Sequence, residues 1–183
     1  MFQFSGGHDK NRPISTSEIW QNHTWNKYTP LPKAVYGHCI VRLNSTHFFL
    51  TGGHPDQKSA YTFSKPTGFV KQADMLTGRY YHGCAMHGNK FVFVASGTTS
   101  DYFSLETMKW LPGPVIPTSS VGGKMVTIEG TATFFGGQKI YQLEKIGLTT
   151  VDWWKWTEVG EMKTDRKHFD IIKMKMSDCE NWN

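Results

Sequence analysis

One stretch of this chain recurs, and its recurrence constrains the fold more than any other feature of the sequence. Residues 36–53 read YGHCIVRLNSTHFFLTGG, an apolar alternating run, a polar turn, a second apolar run and a glycine pair. Two apolar runs that flank a polar turn predict a β-hairpin. The glycine pair suits a backbone site that needs positive φ or the close approach of another segment. The unit is therefore predicted to be a hairpin that ends at a tight backbone site.

Copies of this stretch follow at nearly constant spacing. Residues 81–97 (YHGCAMHGNKFVFVASG) and 122–137 (GGKMVTIEGTATFFGG) keep its frame, and residues 2–7 match its second half. The last glycine of each copy stands at position 7, 53, 97 or 137, at intervals of 46, 44 and 40 residues. Periods of this length are typical of propeller blades.

The second half of each unit repeats more loosely. Two aromatic residues, five to seven positions apart, follow the terminal glycine in three units: Trp20 and Trp25, Phe63 and Phe69, Phe103 and Trp110. In the last unit, Tyr141 is followed by a longer insertion and then Trp156. Each unit is therefore predicted to contain four short strands. No segment shows capped helical periodicity, so we expect an all-β chain.

This set of spaced features resembles the kelch repeat. That repeat has a first strand, a second strand ending in Gly-Gly, a Tyr-containing third strand and a Trp-containing fourth strand, followed by Met and Arg. The resemblance covers nearly the whole chain, with Ser96 in place of Gly, Phe69 in place of Trp and Gly122 in place of His. It implies a kelch-type β-propeller of about four blades, or a partial segment of a larger propeller.

The repeat spacing predicts a single kelch-repeat domain, residues 1–183, with four blades. Their approximate bounds are 1–32, 33–76, 77–117 and 118–163. The first blade lacks its own first strand, and residues 166–176 carry the Arg, the His and the apolar alternation of one. Pairing of Phe169–Met176 with Phe2–Gly7 would close a four-bladed ring and remove exposed sheet edges. The alternative is that the chain is a piece of a larger propeller.

Composition excludes several classes of protein. A hydrophobic content of 38% in 183 residues fits one folded domain and excludes a disordered chain. No apolar run approaches 18 residues, so we expect no membrane span. The net charge of +5 is spread along the chain, and its richest stretch, 163–175, reads as a solvated strand face. We therefore expect neither nucleic acid nor membrane as a partner.

The cysteines and sequons predict different compartments. Cys39, Cys84 and Cys179 form no CxxC pair and no even set, which fits a reducing compartment, and Cys39 and Cys84 are interpreted as buried strand residues. No signal peptide is visible, which also favours the cytoplasm. The glycosylation sequons at Asn22 and Asn44 favour the alternative, a secreted protein.

The histidines and nucleophiles do not form a recognisable catalytic pattern. His38 and His82 occupy the same repeat position, so a ring that packs or hydrogen-bonds between blades accounts for both. No Gly-x-Ser-x-Gly elbow and no Cys–His pairing is found. We therefore predict no catalytic residue, no metal, no cofactor and no enzymatic activity. A small-molecule enzyme on the propeller scaffold is the alternative.

Function in a propeller resides in the loops at one mouth of the ring, because strands are committed to the sheets. The resemblance to kelch proteins implies a protein-interaction module, in some relatives the substrate-recognition part of a ubiquitin-ligase adaptor. Arg79 and Arg166 precede first strands and would offer bidentate contacts to acidic partners, or else tie adjacent blades. The candidate binding residues are Arg79, Tyr80, Arg166, His54, Trp153 and Trp154. The two tryptophans interrupt the repeat and are predicted to form an exposed hydrophobic contact.

Overall fold

The structure is a computed structural model, and it describes residues 2–119, 121–146, 153–167 and 169–171. Every regular element in these ranges is a β-strand, so the predicted all-β class is confirmed. Among the described residues there is no helix, and hence none long and apolar enough to cross a membrane.

Short antiparallel strands follow the repeat units in order. They are β1 Phe2–Ser5, β2 His8–Asp9, β3 Arg12–Pro13, β4 Ser17–Gln21, β5 Thr24–Tyr28, β6 Cys39–Arg42, β7 His47–Thr51, β8 Ala60–Ser64, β9 Gly68–Lys71, β10 Gly83–His87, β11 Phe91–Ser96, β12 Thr99–Ser104, β13 Lys109–Pro112, β14 Lys124–Ile128, β15 Thr131–Ile146 and β16 Trp153–Arg166. The described strands form four sheets of three or four strands and one two-stranded ribbon: the first sheet is β1-β4-β5, the second β6-β7-β8-β9, the third β10-β11-β12-β13 and the fourth β14-β15-β16, and the ribbon is β2-β3.

The second and third sheets are four-stranded meanders, as the repeat predicts. The β6–β7 hairpin forms where the sequence changes from the apolar run to Asn44, whose Oδ1 accepts hydrogen bonds from the backbone N of Thr46 and of His47, both at 2.9 Å. The segment after the first glycine pair contains a further element, because β2 and β3 pair there as a small ribbon. Its two-residue turn, Lys10–Asn11, has positive φ at both positions, the geometry that suits a tight hairpin.

The fourth sheet also contains four strand segments, because β15 reverses within its length. Gln142 Nε2 donates a hydrogen bond to Thr133 Oγ1 at 3.3 Å, whereas a straight strand would separate two residues nine positions apart by roughly 30 Å. The reversal falls at the glycine pair, where Gly137 has a φ of +63°. The second half of β15 then pairs with β16, with Gly137 opposite Arg166 at one end of the pairing and Ile146 opposite Trp153 at the other.

Aromatic side chains fill the spaces between successive sheets. Phe49 of the second sheet lies 4.9 Å from Phe103 of the third, measured between ring centroids. Trp110 joins this cluster and donates its indole N–H to the Ala73 carbonyl at 2.8 Å. Between the third and fourth sheets, the corresponding core contains Phe93 and Trp156. The aromatic repeat positions therefore mainly serve packing, as their recurrence predicts.

Successive sheets meet where a glycine pair packs against a histidine, and we call the two histidines at these contacts, His38 and His82, the joint histidines. A Cβ on Gly52 would lie 2.4 Å from the Arg79 carbonyl oxygen and 2.9 Å from a ring carbon of His82. A Cβ on Gly6 would meet the His38 ring at 2.8 Å in the same way. His82 is fully buried and its Nε2 lies 2.8 Å from Thr51 Oγ1. The histidine of one unit thus packs on the glycine pair of the unit before it, as the shared repeat position predicts.

Cys39 and Cys84 form a disulfide that joins β6 to β10, the first strands of two successive sheets. The expectation of reduced cysteines was therefore wrong for this pair. The two residues are 45 positions apart in sequence but have Cα atoms 6.0 Å apart, within the range that a disulfide spans. Only the packing of successive sheets brings them together, and no local spacing signals that.

The predicted ring closure falls largely outside the described residues. Of the segment Phe169–Met176, residues 172–176 are not described, and residues 169–171 are not in a strand. Within the described part of the chain, β1 pairs with β4. Closure by the C-terminal segment, and the blade bounds derived from it, stay predictions.

Candidate functional site

Loops from three successive units meet at the end of the sheets where the glycine pairs lie. The linker before β6 runs beside the loop after β7, since Tyr36 and His54 exchange two backbone hydrogen bonds, at 2.9 and 3.1 Å. The second glycine of each pair donates a backbone hydrogen bond to the linker that leads into the next unit. Gly7 N donates to Val35 O and Gly53 N donates to Arg79 O, each at 2.9 Å. The linkers are therefore fixed against the sheets by main-chain contacts.

Five aromatic rings form a contiguous patch on these loops, which we call the mouth cluster: His8, Tyr36, His54, Tyr80 and Tyr81. The Tyr36 ring is central, with centroid distances of 3.7 Å to His8, 5.1 Å to His54 and 5.9 Å to Tyr81. Tyr80 lies 6.0 Å from His54 and 5.4 Å from Tyr81. The cluster joins two of the predicted site residues, His54 and Tyr80.

The mouth cluster is partly open to solvent and rests on an unusual backbone. The Tyr80 side chain is 43% exposed, and His8 is also exposed. Tyr81 has a φ of +53°, a region that a bulky residue rarely adopts. Its ring packs against Gly37, where a Cβ would come within 3.0 Å of it. Such strain persists only where the surroundings enforce it, and it is common at functional sites.

Of the two roles that the sequence predicts for Arg79, a contact to an acidic partner and a tie between adjacent units, the structure supports the tie. Its side chain is buried, and its guanidinium donates to Asp101 Oδ2 at 3.1 Å and to Thr99 Oγ1 at 2.9 Å. Asp101 Oδ2 also accepts from the backbone N of Thr77. The arginine therefore fixes the linker against the third sheet and so ties two adjacent units together. A guanidinium that is committed to these partners cannot make a bidentate contact with another protein.

The remaining predicted site residues lie on the fourth sheet. Arg166 pairs with Gly137, so its backbone lies beside a second glycine as that of Arg79 does, but its side chain is exposed. Trp154 packs on His87 and Phe93, with centroid distances of 4.5 and 6.1 Å, and is partly buried. Trp154 is therefore only partly exposed, and its role as a binding contact stays a prediction. The side chain of Trp153 lies outside what the structure describes.

The two joint histidines are neutral at physiological pH. Burial lowers the pKa of His82 to about 3, with a further contribution from the Arg79 charge. Burial also lowers the pKa of His38 to about 4, with a contribution from Lys124. A general base needs a pKa near the working pH, so neither ring suits acid–base catalysis. In the described ranges, no group of three or more His, Cys, Asp and Glu could hold a metal ion.

A separate cavity of about 670 Å³ lies between the first and second sheets, at their other end. Its wall is largely apolar, with Ile19 on one side and Phe48 and Phe69 on the other. The titratable residues in the lining are Tyr28, His47 and Lys65. Among the described residues of this lining there is neither a carboxylate nor a cysteine, so they offer no carboxylate pair and no thiol nucleophile.

Comparison with known proteins supports the resemblance to kelch proteins. No protein-family model matches the chain. In an alignment of 148 residues that covers 73% of the chain, it is 26% identical to Kelch-like protein 40 of Mus musculus, and it is 27% and 25% identical to the Xenopus laevis and Homo sapiens proteins of that name. The chain is a distant relative of kelch-repeat proteins. The match spans about a quarter of the length of these curated relatives, 24% in each.

The kelch repeat also explains how the mouth cluster arises. Tyr36 and Tyr80 each stand two residues before the joint histidine of their unit, and His8 and His54 each follow a glycine pair directly. The cluster therefore collects two repeat positions from three successive units. Sequence reasoning found His54 and Tyr80 but missed Tyr36, although superposing the kelch units on their histidines would have aligned the two tyrosines.

Proposed function

We propose that this chain is a protein-interaction module that contacts its partner through the mouth cluster. The observation that carries the proposal is the contiguous patch of five rings on loops that the glycine pairs hold in place. Tyrosine supplies a large, rigid contact area with a polar tip, and it is enriched among residues that dominate binding energy at interfaces. Most of the other aromatic side chains at repeat positions pack between the sheets.

The chemistry of the cluster favours a partner surface with apolar groups and hydrogen-bonding groups over a strongly acidic one. Its members are tyrosines and histidines, and the one predicted cation beside it, Arg79, is committed to Asp101. The exposed Arg166 is the remaining cation among the candidate residues. Rings of this kind at the centre of an interface exclude water, and a few of them carry most of the affinity.

Substrate recognition within a ubiquitin-ligase adaptor is the finer form of this proposal. It rests on the resemblance to kelch proteins, not on the cluster. The disulfide between Cys39 and Cys84 opposes it, since disulfides are rare where cytosolic thiols are kept reduced. We therefore propose binding as the function and leave the adaptor role dependent on the redox state of this pair.

Replacement of Tyr80 by alanine is expected to weaken partner binding by about tenfold or more, because truncation of a central interface ring typically costs more than 1 kcal/mol. Partners would be captured from the native source with the intact chain, and the affinity of each would then be measured by titration calorimetry. Thermal stability should change little, since the Tyr80 side chain is 43% exposed.

The matched control is Val70→Ala, because Val70 is 45% exposed but lies on β9, outside the mouth cluster. A partner that uses the cluster should bind this variant as it binds the unchanged chain. Equal affinities for the intact chain and for Tyr80→Ala, or equal losses in both variants, would refute the assignment of the cluster as the binding site.

A further inference from the structure

Two hairpin turns at the end of the sheets away from the mouth cluster carry Asn-x-Thr sequences. Asn44-Ser45-Thr46 connects β6 to β7, and Asn22-His23-Thr24 connects β4 to β5. The glycine pairs lie at the opposite ends of these strands, where β7 reaches Gly52. All of these turn residues are exposed. The sequence pattern of an N-glycan acceptor therefore coincides twice with a position that an enzyme can reach.

The amide of Asn44 has a fixed orientation. Its Oδ1 accepts hydrogen bonds from the backbone N of Thr46 and of His47, both at 2.9 Å. Because a backbone N–H can donate only to the oxygen of a side-chain amide, these contacts assign the oxygen and turn Nδ2 away from the backbone. The Thr46 hydroxyl lies 3.1 Å from the same oxygen. The acceptor amide and the hydroxyl that the sequon requires are thus already together.

The second sequon has a different local geometry but the same accessibility. Asn22 and His23 have φ values of +54° and +59° and form the two central residues of the β4–β5 hairpin. Positive φ at both positions is the mark of a type I′ turn, in which asparagine is favoured. Such a turn projects from the sheet, so the Asn22 side chain is presented at its tip.

The disulfide is an independent observation that points to the same compartment. Cys39 and Cys84 are joined between two sheets, and such bonds persist in the oxidising compartments of the secretory pathway. Proteins receive N-glycans in that pathway. We infer that Asn44, together with Asn22, is N-glycosylated, and that the chain folds in the secretory pathway rather than in the cytoplasm.

The modification is a group transfer from a lipid-pyrophosphate-linked oligosaccharide. Asn44 Nδ2 attacks the anomeric carbon of the first sugar, so that the bond between Nδ2 and this carbon forms. The bond from that carbon to the pyrophosphate oxygen breaks, and the lipid pyrophosphate leaves. The amide nitrogen loses one proton to the base that the transferase supplies. The glycans would cover the end of the sheets that bears the cavity and leave the mouth cluster open.

The test is the mass of the peptides that carry Asn44 and Asn22 in the protein isolated from its native source, before and after treatment with an amidase that removes N-glycans. We expect both peptides to carry glycan, and the amidase to convert each asparagine to aspartate. An Asn44 that is unmodified in the native protein overturns the proposal, whatever the state of Asn22. Blocking free thiols before digestion reports on Cys39 and Cys84, and free thiols there would overturn the assignment of the compartment.

Variants secreted from animal cells supply the matched controls for Asn44. Thr46→Ser keeps the acceptor pattern and should keep the glycan, whereas Thr46→Val should lose it. Asn44→Asp should also lose it while keeping the oxygen that accepts from the Thr46 backbone, so the turn should still fold. On deglycosylation, the unchanged chain and Thr46→Ser should shift by the mass of two glycans, whereas the last two variants should shift by one glycan only, that of Asn22. An identical shift in all of them would refute modification at Asn44.

Discussion

A decrease in pH is expected to lower the stability of the folded chain through His82, which packs between the second and third sheets. Its imidazole is fully buried against Thr51, and burial lowers its pKa from 6.5 to about 3. Below pH 6.5 the unfolded chain binds a proton at this residue, whereas the folded chain does not until about pH 3. The free energy of unfolding therefore falls as the pH decreases through this window, by about 1.4 kcal/mol for each pH unit. Between pH 6.5 and 4.5 the expected loss is roughly 2–3 kcal/mol.

Urea unfolding followed by tryptophan fluorescence, at pH 6.5 and at pH 4.5, measures this loss. The comparison is with His82→Gln, whose amide can still bond the Thr51 hydroxyl but does not titrate. His38, the carboxylates and the neighbouring Arg79 and Lys124 are common to both proteins. We expect the stability of the unchanged chain to decrease more than that of the variant, by roughly 2–3 kcal/mol. Parallel pH dependences in the two proteins would refute the reasoning.

Two substitutions test the contacts that hold the joint. Gly52→Ala should destabilise the chain by about 1–3 kcal/mol more than Gly68→Ala, because both positions have positive φ but only at Gly52 does the added Cβ meet a backbone oxygen, at 2.4 Å; equal urea midpoints would contradict this. Arg79→Ala should cost about 3–5 kcal/mol, since it leaves a buried carboxylate unpaired, whereas Lys33→Ala, which removes an exposed ion pair, should leave the calorimetric melting temperature nearly unchanged. A small effect at Arg79 would mean that its carboxylate partner is solvated.

Local sequence was sufficient to predict the hairpins and the glycine pairs. A strand pair such as β6–β7 is specified by apolar alternation and by the turn chemistry of Asn44, and both act within a few residues. The role of His82 was also predictable, because the same position in two units demands one structural cause. Because these local features recur at a regular interval, they also predicted the succession of sheets. The similarity to Kelch-like protein 40 agrees with this repeat.

The residues that sequence reasoning misplaced depend on contacts between units. Trp154 was expected to be exposed because it interrupts the repeat, yet it packs on His87 and Phe93 of the preceding sheet. Cys39 and Cys84 are brought together only when two first strands lie side by side. Neither partner is near in sequence, so composition and local pattern carried no signal for these contacts, although the separation of 45 residues between the two cysteines is close to the repeat interval.

Arg79 and Tyr80 are adjacent, and their opposite environments would let one linker serve both stability and the proposed binding. The Arg79 carbonyl accepts from Gly53 N and its guanidinium reaches Asp101, so this residue is tied to the second and third sheets at once. The next residue must then emerge at the surface, where Tyr80 joins the mouth cluster. A binding loss on changing Arg79 should therefore accompany a stability loss, because the arginine acts by positioning. A loss on changing Tyr80 should come without one, because only its ring meets the partner.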